Sequence, residues 1–386
     1  MKTYRHLFER MISEDNLRRA IHEAAKRKTK RHEVQVVLAN EDKYIRRLQK
    51  MLTNGTFTPH VGNPSYVRDG SNNKMREIHK PIFFPDQVIH HALIQAAEEV
   101  FTTPQYRYSL GSVKGHGTAE AVKVMEKWMQ NDRAGTKYGG KADVRHCYAN
   151  ISHRRLKRKL ARKIKDTRWL NVAFLIIDAY GKFVGKAKKK VKSGLPLGLF
   201  TSPHFANFFL TDFDHFVKEK LHVKKYERYL DDLQFFDSVK KRMHRILEAM
   251  KLALRSIELW MKNNWQIIRI KTIDGKGKIY QALGFRFERG KDSIRIGLRK
   301  SALLDITKLA RQIGEKREKK EPIGYHQAAS MLSRLGELKP ATLYHVYEKY
   351  VKDNVDKKQL RRIVSKHDRR LNNVAKIRVN SQPAVA

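Results

Sequence analysis

Leu17, Ala20, Ile21 and Ala24 fall at i, i+3, i+4 and i+7, with basic residues on the other face, which predicts an amphipathic helix near the start of the chain. A second helix is expected over roughly Glu41 to Leu52, ending at Thr53-Asn54-Gly55-Thr56. From Phe57 to Phe84 turn residues and short extended pieces alternate, a hairpin-rich pattern with a turn at Asp69-Gly70. An apolar helix should start near Pro85 and run through Phe101, and a glycine-punctuated strand within Thr136–Ile151 should stop in a turn. Leu156, Leu160 and Ile164 keep a four-residue stripe on a very basic helix. Ser202-Pro203 offers a cap and a first-turn proline for the next helix, whose Ala206, Phe209, Leu210, Phe213 and Val217 make one apolar face. The pattern then gives a hairpin across Asp231-Asp232, a helix to about Ile257, a strand pair around Trp265–Ile273 and Tyr280–Phe287, and basic helices from Lys300 on. Only the tail, 379–386, reads as disordered. The class is α+β, a mixed centre flanked by helical, basic regions.

Charge changes this picture more than composition does. Among 386 residues, 41% are hydrophobic, which is ordinary for a globular chain with two or three domains. Lys plus Arg number 82 against 39 Asp plus Glu, a net charge of +43. Such a field calls for a polyanionic partner, with nucleic acid ahead of an anionic membrane surface because no terminal anchor or lipidation motif is evident. The longest apolar run, around Leu170 to Ile177, is far short of a membrane span. The first ten residues lack the apolar stretch of a signal peptide. Cys147, the single cysteine, excludes an intramolecular disulfide and a cysteine-based zinc cluster. A reducing cytoplasm is the expected setting, with no membrane association.

The candidate chemistry sits in the hairpin. Aspartate is poor in strands and costly to bury, yet Asp231 and Asp232 stand between Tyr229-Leu230 and Leu233. A plain turn is one reading; a metal site is the other. Two-metal phosphoryl transfer uses close carboxylates to hold ions about 3.5–4 Å apart, and Mg²⁺ is a hard ion that takes oxygen ligands. A tight turn breaks strand alternation and can direct both side chains to one site. A third carboxylate should come from a neighbouring strand end, and Asp143 sits where an apolar strand would stop.

At these residues the chain resembles the reverse transcriptases. Tyr229 to Asp232 is similar to the family's Y-x-D-D box, and Asp143 to Tyr148 to its upstream box, an aspartate with an aromatic residue five positions on. Gly194 to Asn207 resembles the box between them, Lys74 to Leu93 a fingers segment, and Leu283 to Phe287 a primer-grip strand. The order holds over roughly residues 60 to 290. The resemblance implies a right-hand polymerase fold. Fingers with N-terminal helices would take 1–140, the palm 141–290 with a fingers segment returning within about 150–195, and a basic helical thumb with a short tail 291–386. It implies that Asp143, Asp231 and Asp232 bind two Mg²⁺ ions, with Mn²⁺ able to substitute and the Val144 carbonyl as a further ligand. Lys74, Arg76 and Lys80 would grip the dNTP triphosphate, beside Leu197 and Gly198, and Tyr148 would be the gate against a 2′-hydroxyl. Ser202, Pro203, Tyr229, Gly284 and Phe285 would face template and primer. The implied partners are an RNA template, a DNA primer or product, and dNTPs.

Finer features bear on the lineage. Many relatives carry glutamine at the position of Leu197; an aliphatic residue there resembles the enzymes of diversity-generating retroelements, where it goes with error-prone copying of template adenines. Segments 213–232, 262–267 and 334–352 resemble that lineage too, and the size leaves no room for an RNase H or endonuclease domain. Its usual partner is a small, basic, oligomeric accessory protein. One departure points elsewhere: those enzymes usually have Ser-Gln where this chain has Ser202-Pro203. An antiphage-defence reverse transcriptase is therefore the alternative, and a non-catalytic RNA-binding or splicing helper a third reading. Past Lys300, basic faces would hold duplex phosphates, with Tyr344, Tyr347 and Tyr350 packing the thumb. His204 is expected on a helix surface.

Overall fold

The computed structural model describes residues 2–69, 74–184, 191–338 and 343–367. Four helices open the chain: α1 (Leu7–Ile12), α2 (Glu14–Ala25), α3 (His32–Leu38) and α4 (Glu41–Thr53). The Ser13 hydroxyl accepts the Asn16 N–H, and Glu14 and Asp15 occupy the first turn, so α2 starts with both a cap and a favourable charge. Its predicted stripe of Leu17, Ala20, Ile21 and Ala24 is buried, and the helix packs on α5 (Val88–Ala96). The expected hairpin pairs β1 (Ser65–Asp69) with β2 (Lys74–Ile78), Ser65 opposite Ile78; Gly70 of its expected turn lies outside the described residues. The helix expected from Pro85 is interrupted. A π-turn at Phe83–Gln87 precedes α5, and Ala97 leaves helical geometry before α6 (Glu98–Thr102).

After α7 (Thr118–Asn131) comes β3 (Tyr138–Asp143), then the short α8 (Cys147–Asn150) and the basic α9 (His153–Lys163). Leu156 and Leu160 are buried on α9, and Ile164, just past its end, is buried where it bridges to Tyr4. Asp166 caps α10 (Thr167–Ala179) by accepting the Trp169 N–H at 3.1 Å, and it also accepts the Phe8 N–H at 2.7 Å, tying α10 to α1. The hairpin β4 (Lys182–Val184) and β5 (Val191–Ser193) leads to α11 (Thr201–His215). Here the expected cap is corrected. The helix begins at Thr201 from a helical Phe200, so Ser202 lies inside the first turn, buried, with its hydroxyl unpartnered. Phe205 and Phe208 are buried along with the predicted face, because α11 is enclosed on most sides. His204 is not a surface residue either. Its half-buried ring lies 5.0 Å from that of Phe200 and 6.0 Å from that of Phe101.

The Asp231-Asp232 hairpin forms as expected, with β6 (Lys225–Tyr229) and β7 (Asp232–Asp237) joined through Leu230-Asp231. These strands belong to a four-stranded sheet of order β6-β7-β3-β8, in which β8 (Gln266–Arg269) is antiparallel to β3 with Tyr138 opposite Arg269. Between β7 and β8 runs α12 (Lys240–Ser256). The expected pairing of Trp265–Ile273 with Tyr280–Phe287 is also corrected. Leu283 and Gly284 both adopt positive φ (51° and 89°), the geometry of a two-residue hairpin, and fold 280–287 back on itself. The result is β9 (Tyr280–Ala282) and β10 (Phe285–Arg289), which with β11 (Ile294–Leu298) form a separate sheet of order β11-β10-β9. The expected basic helices follow as α13 (Lys300–Glu318) and α14 (Tyr325–Glu337).

The chain divides into two compact units. The first holds Met1–Lys114, Ala142–Leu233 and His244–Trp265; the second holds Gly115–Lys141, Gln234–Met243 and Gln266–Ala386. The second has its own core, where Val122, Met125 and Met129 of α7 join Phe287, Ile296, Ile306 and Ile313. Gly140 is required there, since a Cβ would sit 2.4 Å from the Phe235 ring. Tyr347 packs at the edge of this core, but Tyr344 is 74% exposed and stacks on Tyr347 rather than filling the interior. Among the described residues no helix is long and apolar enough to cross a membrane.

Candidate active site

Asp143 ends β3, and Asp232 begins β7. Three backbone bonds lock the surrounding segments. The Val144 N–H donates to the Asp231 carbonyl at 2.9 Å, Arg145 N–H to the Trp260 carbonyl at 2.6 Å, and Lys262 N–H to the Asp143 carbonyl at 2.8 Å. Val144 is fully buried. The side chains of Asp143 and Asp232 are hydrogen-bonded to each other. Asn264 donates to Asp143 Oδ2 at 3.2 Å, and Lys262 Nζ stands 3.7 Å from the same oxygen.

The electrostatics follow from this crowding. Burial, the bond to Asp143 and the charges of Asp143 and Asp231 push the Asp232 carboxyl up to about 8, against the pull of Lys262. Burial also opposes charge on Asp143, but the bond from Asp232 together with Lys262 and Asn264 holds it below the usual carboxylate range. One proton is thus shared by a pair that resists double ionisation. A hard divalent cation would relieve that repulsion, and carboxylate oxygens are the donors such an ion takes. The donor set therefore fits a divalent metal. Among the described residues the arrangement does not gather three metal-ligating side chains at one point. Asp143 and Asp232 are together, and Asp231 sits one residue back in the turn.

Tyr148 lies on α8, half-buried, and burial raises its phenol, with the charge of Asp231 adding to the effect. Its carbonyl accepts the Leu195 N–H at 2.8 Å, and Ser193 Oγ donates to the Ala149 carbonyl at 3.1 Å, so the segment 193–198 is fastened beneath α8. The far end of that segment meets the β1–β2 hairpin: Leu197 bridges Ile78, and its carbonyl accepts the His79 N–H at 2.8 Å. Gly198, at φ 104°, has the His79 carbonyl 2.2 Å from where a Cβ would be, so only glycine fits. The aspartates, Tyr148, Leu197, Gly198 and the base of β2 are thereby linked within one unit.

The remaining expected site residues are more dispersed. Arg76 and Lys80 are exposed on and after β2, and the side chain of Lys74 lies outside the described residues. Tyr229 is half-buried at the end of β6, and Pro203 is half-buried on α11 beside the buried Ser202. Gly284 and Phe285 belong to the second unit, where the Phe285 ring is buried in the core and turned from solvent.

A buried network that sequence reasoning missed supports the turn from below. Arg228 is 1% exposed and Asp214 not at all. Arg228 Nη2 donates to Asp214 Oδ2 at 2.7 Å and to Ser109 Oγ at 2.7 Å, and its Nη1 donates to Asn207 Oδ1 and the Leu230 carbonyl, both at 3.0 Å. Tyr226 adds its hydroxyl to Asp214 at 2.7 Å, and Asn207 donates to the Gly111 carbonyl at 2.9 Å. One guanidinium therefore fixes the carbonyl of Leu230, which itself holds φ 57°, immediately before the aspartates. The signal was weak: Arg228 is one of three charged residues in β6, with Lys225 and Glu227, and Asp214 one of two aspartates in the phenylalanine-rich α11.

Residues 81–268 match the family model described as reverse transcriptase (RNA-dependent DNA polymerase). A 206-residue stretch is 26% identical to the group II intron-encoded protein LtrA of Lactococcus lactis, covering 52% of this chain and 33% of that one. A 176-residue stretch is 24% identical to protein YkfC of Escherichia coli K12, covering 45% of each. The chain thus spans a third to just under half the length of these relatives. Among solved structures it is similar to a Candida albicans telomerase, with a TM-score of 0.44 and 14% identity over 76% of this chain and 55% of that one. The domain match and the mix of helices with antiparallel sheet agree with a right-hand polymerase fold.

Proposed function

We propose that the reverse transcriptase domain at residues 81–268 makes this chain an RNA-directed DNA polymerase that copies an RNA template into cDNA from dNTPs. The observation that carries the reading is the hydrogen-bonded pair of Asp143 and Asp232, two carboxylates from separate motifs held where they resist joint ionisation. Asp143, Asp231 and Asp232 would hold Mg²⁺ or Mn²⁺, with the Val144 carbonyl available beside them. Bound there, the ions supply charge neutralisation and in-line orientation for nucleotidyl transfer. Lys262 and Asn264 keep Asp143 ionised and oriented before any ion arrives. Arg76 and Lys80, with Lys74, would neutralise the triphosphate. Ser202, Pro203, Tyr229, Gly284 and Phe285 would shape the template and primer path, through backbone or packing where their side chains are buried. In this reading fingers, palm and thumb take 1–140, 141–290 and 291–386, and the setting is cytoplasmic. Primer extension on a defined RNA with dNTPs and Mg²⁺ is the direct test; tight RNA binding without incorporation would favour a splicing helper instead.

Tyr148 is the proposed sugar gate. Tyr148→Ala should raise ribonucleotide incorporation relative to deoxynucleotide by about 100-fold, because the space a 2′-hydroxyl needs is opened. Side-by-side extension with rNTPs and dNTPs reads it out, and an unchanged ratio removes Tyr148 from that role.

We further propose that the enzyme is the error-prone copier of a diversity-generating retroelement, working with a small basic accessory protein. Leu197 supports this, because an aliphatic side chain there removes a polar constraint near the incoming nucleotide. Sequencing cDNA made on a defined RNA should show errors concentrated at template adenines, reduced about 10-fold by Leu197→Gln. Faithful, repetitive or untemplated products would favour the antiphage-defence reading, which Ser202-Pro203 supports.

A further inference from the structure

Within the second unit a cavity of about 480 Å³ opens at the N-terminal end of β3, the end opposite Asp143. Arg133, Lys137, Arg269 and Arg289 line it. The fold gathers them from distant segments. Tyr138 pairs with Arg269 across the sheet, and the Ile270 N–H donates to the Lys137 carbonyl at 2.9 Å. Arg133 is pinned through Nη2 to the carbonyls of Gly290 and Lys291, at 3.0 and 2.7 Å.

Arg289 is the unusual member. It is 8% exposed, its Nη2 donates to the Thr136 carbonyl and hydroxyl at 2.7 and 2.6 Å, and its Nε has no partner. Among the described residues none of the four cations is ion-paired with a carboxylate. The cavity's one acid, Asp274, is occupied by the Thr272 hydroxyl and by Lys276 at 3.4 Å. A buried guanidinium facing three further cations without a counter-charge is costly to keep. Burial and the neighbouring Arg133 hold Arg289 below its ordinary range, as that crowding requires.

We propose that this cavity is a phosphate-binding site, separate from the aspartate centre, whose occupant is a backbone phosphate of a nucleic-acid strand. Arginine forks and a lysine ammonium match phosphate oxygens, and the net charge of +43 favours a polyanion over a small ester. The site would anchor a strand without reading its sequence.

The test uses the full chain and changes only the two exposed members, Lys137 and Arg269. Lys137→Gln with Arg269→Gln should weaken binding of a single-stranded RNA about 10-fold at moderate salt and lower the slope of log affinity against log salt by about one to two. A charge-matched control, Lys220→Gln with Lys224→Gln, should move the slope less. In a second arm, inorganic phosphate at constant ionic strength is compared with chloride by thermal melting. A reduced slope with no phosphate effect on melting identifies the strand as occupant. Phosphate stabilisation of the parent, lost in the variant, with an unchanged slope identifies a small phosphate ester. If the variant and control slopes fall alike and phosphate stabilises neither protein, no phosphate site exists there. Because RNA binding and melting are read without catalysis, failure here leaves the polymerase assignment untouched, and the reverse also holds.

Discussion

Asp232→Asn should lower primer extension on the order of 1000-fold while leaving RNA affinity within about 2-fold of the parent. The reason lies in what the side chain does at rest. Asp232 is a carboxyl kept partly protonated by burial and by two neighbouring acids, so an asparagine of the same shape can still donate to Asp143. The negative charge needed to hold a cation is what disappears. Stability gives the control. A carboxyl whose folded pKa is raised contributes stability that is fully present below its unfolded value and lost as pH rises through about 8. Removing the ionisable group should therefore leave the melting temperature near that of the parent in acid, below about pH 4, and raise it progressively from there to a plateau above about pH 8. An inactive variant that melts no lower than the parent separates lost chemistry from lost folding. Extension near the parent rate would remove Asp232 from the metal-binding set.

The largest effect on stability should come from Arg228. Arg228→Met leaves Asp214 buried and unpaired, which costs about 3–5 kcal/mol. Asp214 would keep only the Tyr226 hydroxyl, while Asn207 Oδ1, Ser109 Oγ and the Leu230 carbonyl each lose a donor. Adding Asp214→Leu should recover part of the loss, because the uncompensated charge is then gone. Denaturant unfolding of the single and double variants measures both quantities. If Arg228→Met alone unfolds at the parent midpoint, the network does not hold the turn.

Much of the site could be read along the chain because its parts are local. The Asp231-Asp232 hairpin, the strand ending at Asp143 and the segment around Gly198 each carry their own turn chemistry, and each forms where expected. The helix stripes at Leu17 and Leu156 were legible for the same reason. What escaped was decided by partners far away in sequence. Ser202 has the composition of a cap, but enclosure of α11 pulls it inside the helix. Tyr280–Phe287 has strand residues, but Leu283-Gly284 makes it a hairpin and leaves β8 to pair with β3. Arg228 and Asp214 lie 14 residues apart on different elements, and only the fold brings them within 2.7 Å of each other. Periodicity reports which face is apolar; it does not report which buried polar group will meet another.

Gly198 and Leu197 are adjacent, yet they face different freedoms. The first has no room for a single carbon beside the His79 carbonyl. The second is held through its backbone and leaves its half-buried side chain unconstrained by that hydrogen bond. On the proposed role of Leu197, accuracy can then be altered at one position while the neighbouring position admits only glycine. In that reading the error rate is a setting that one side chain can change without rebuilding the frame around it.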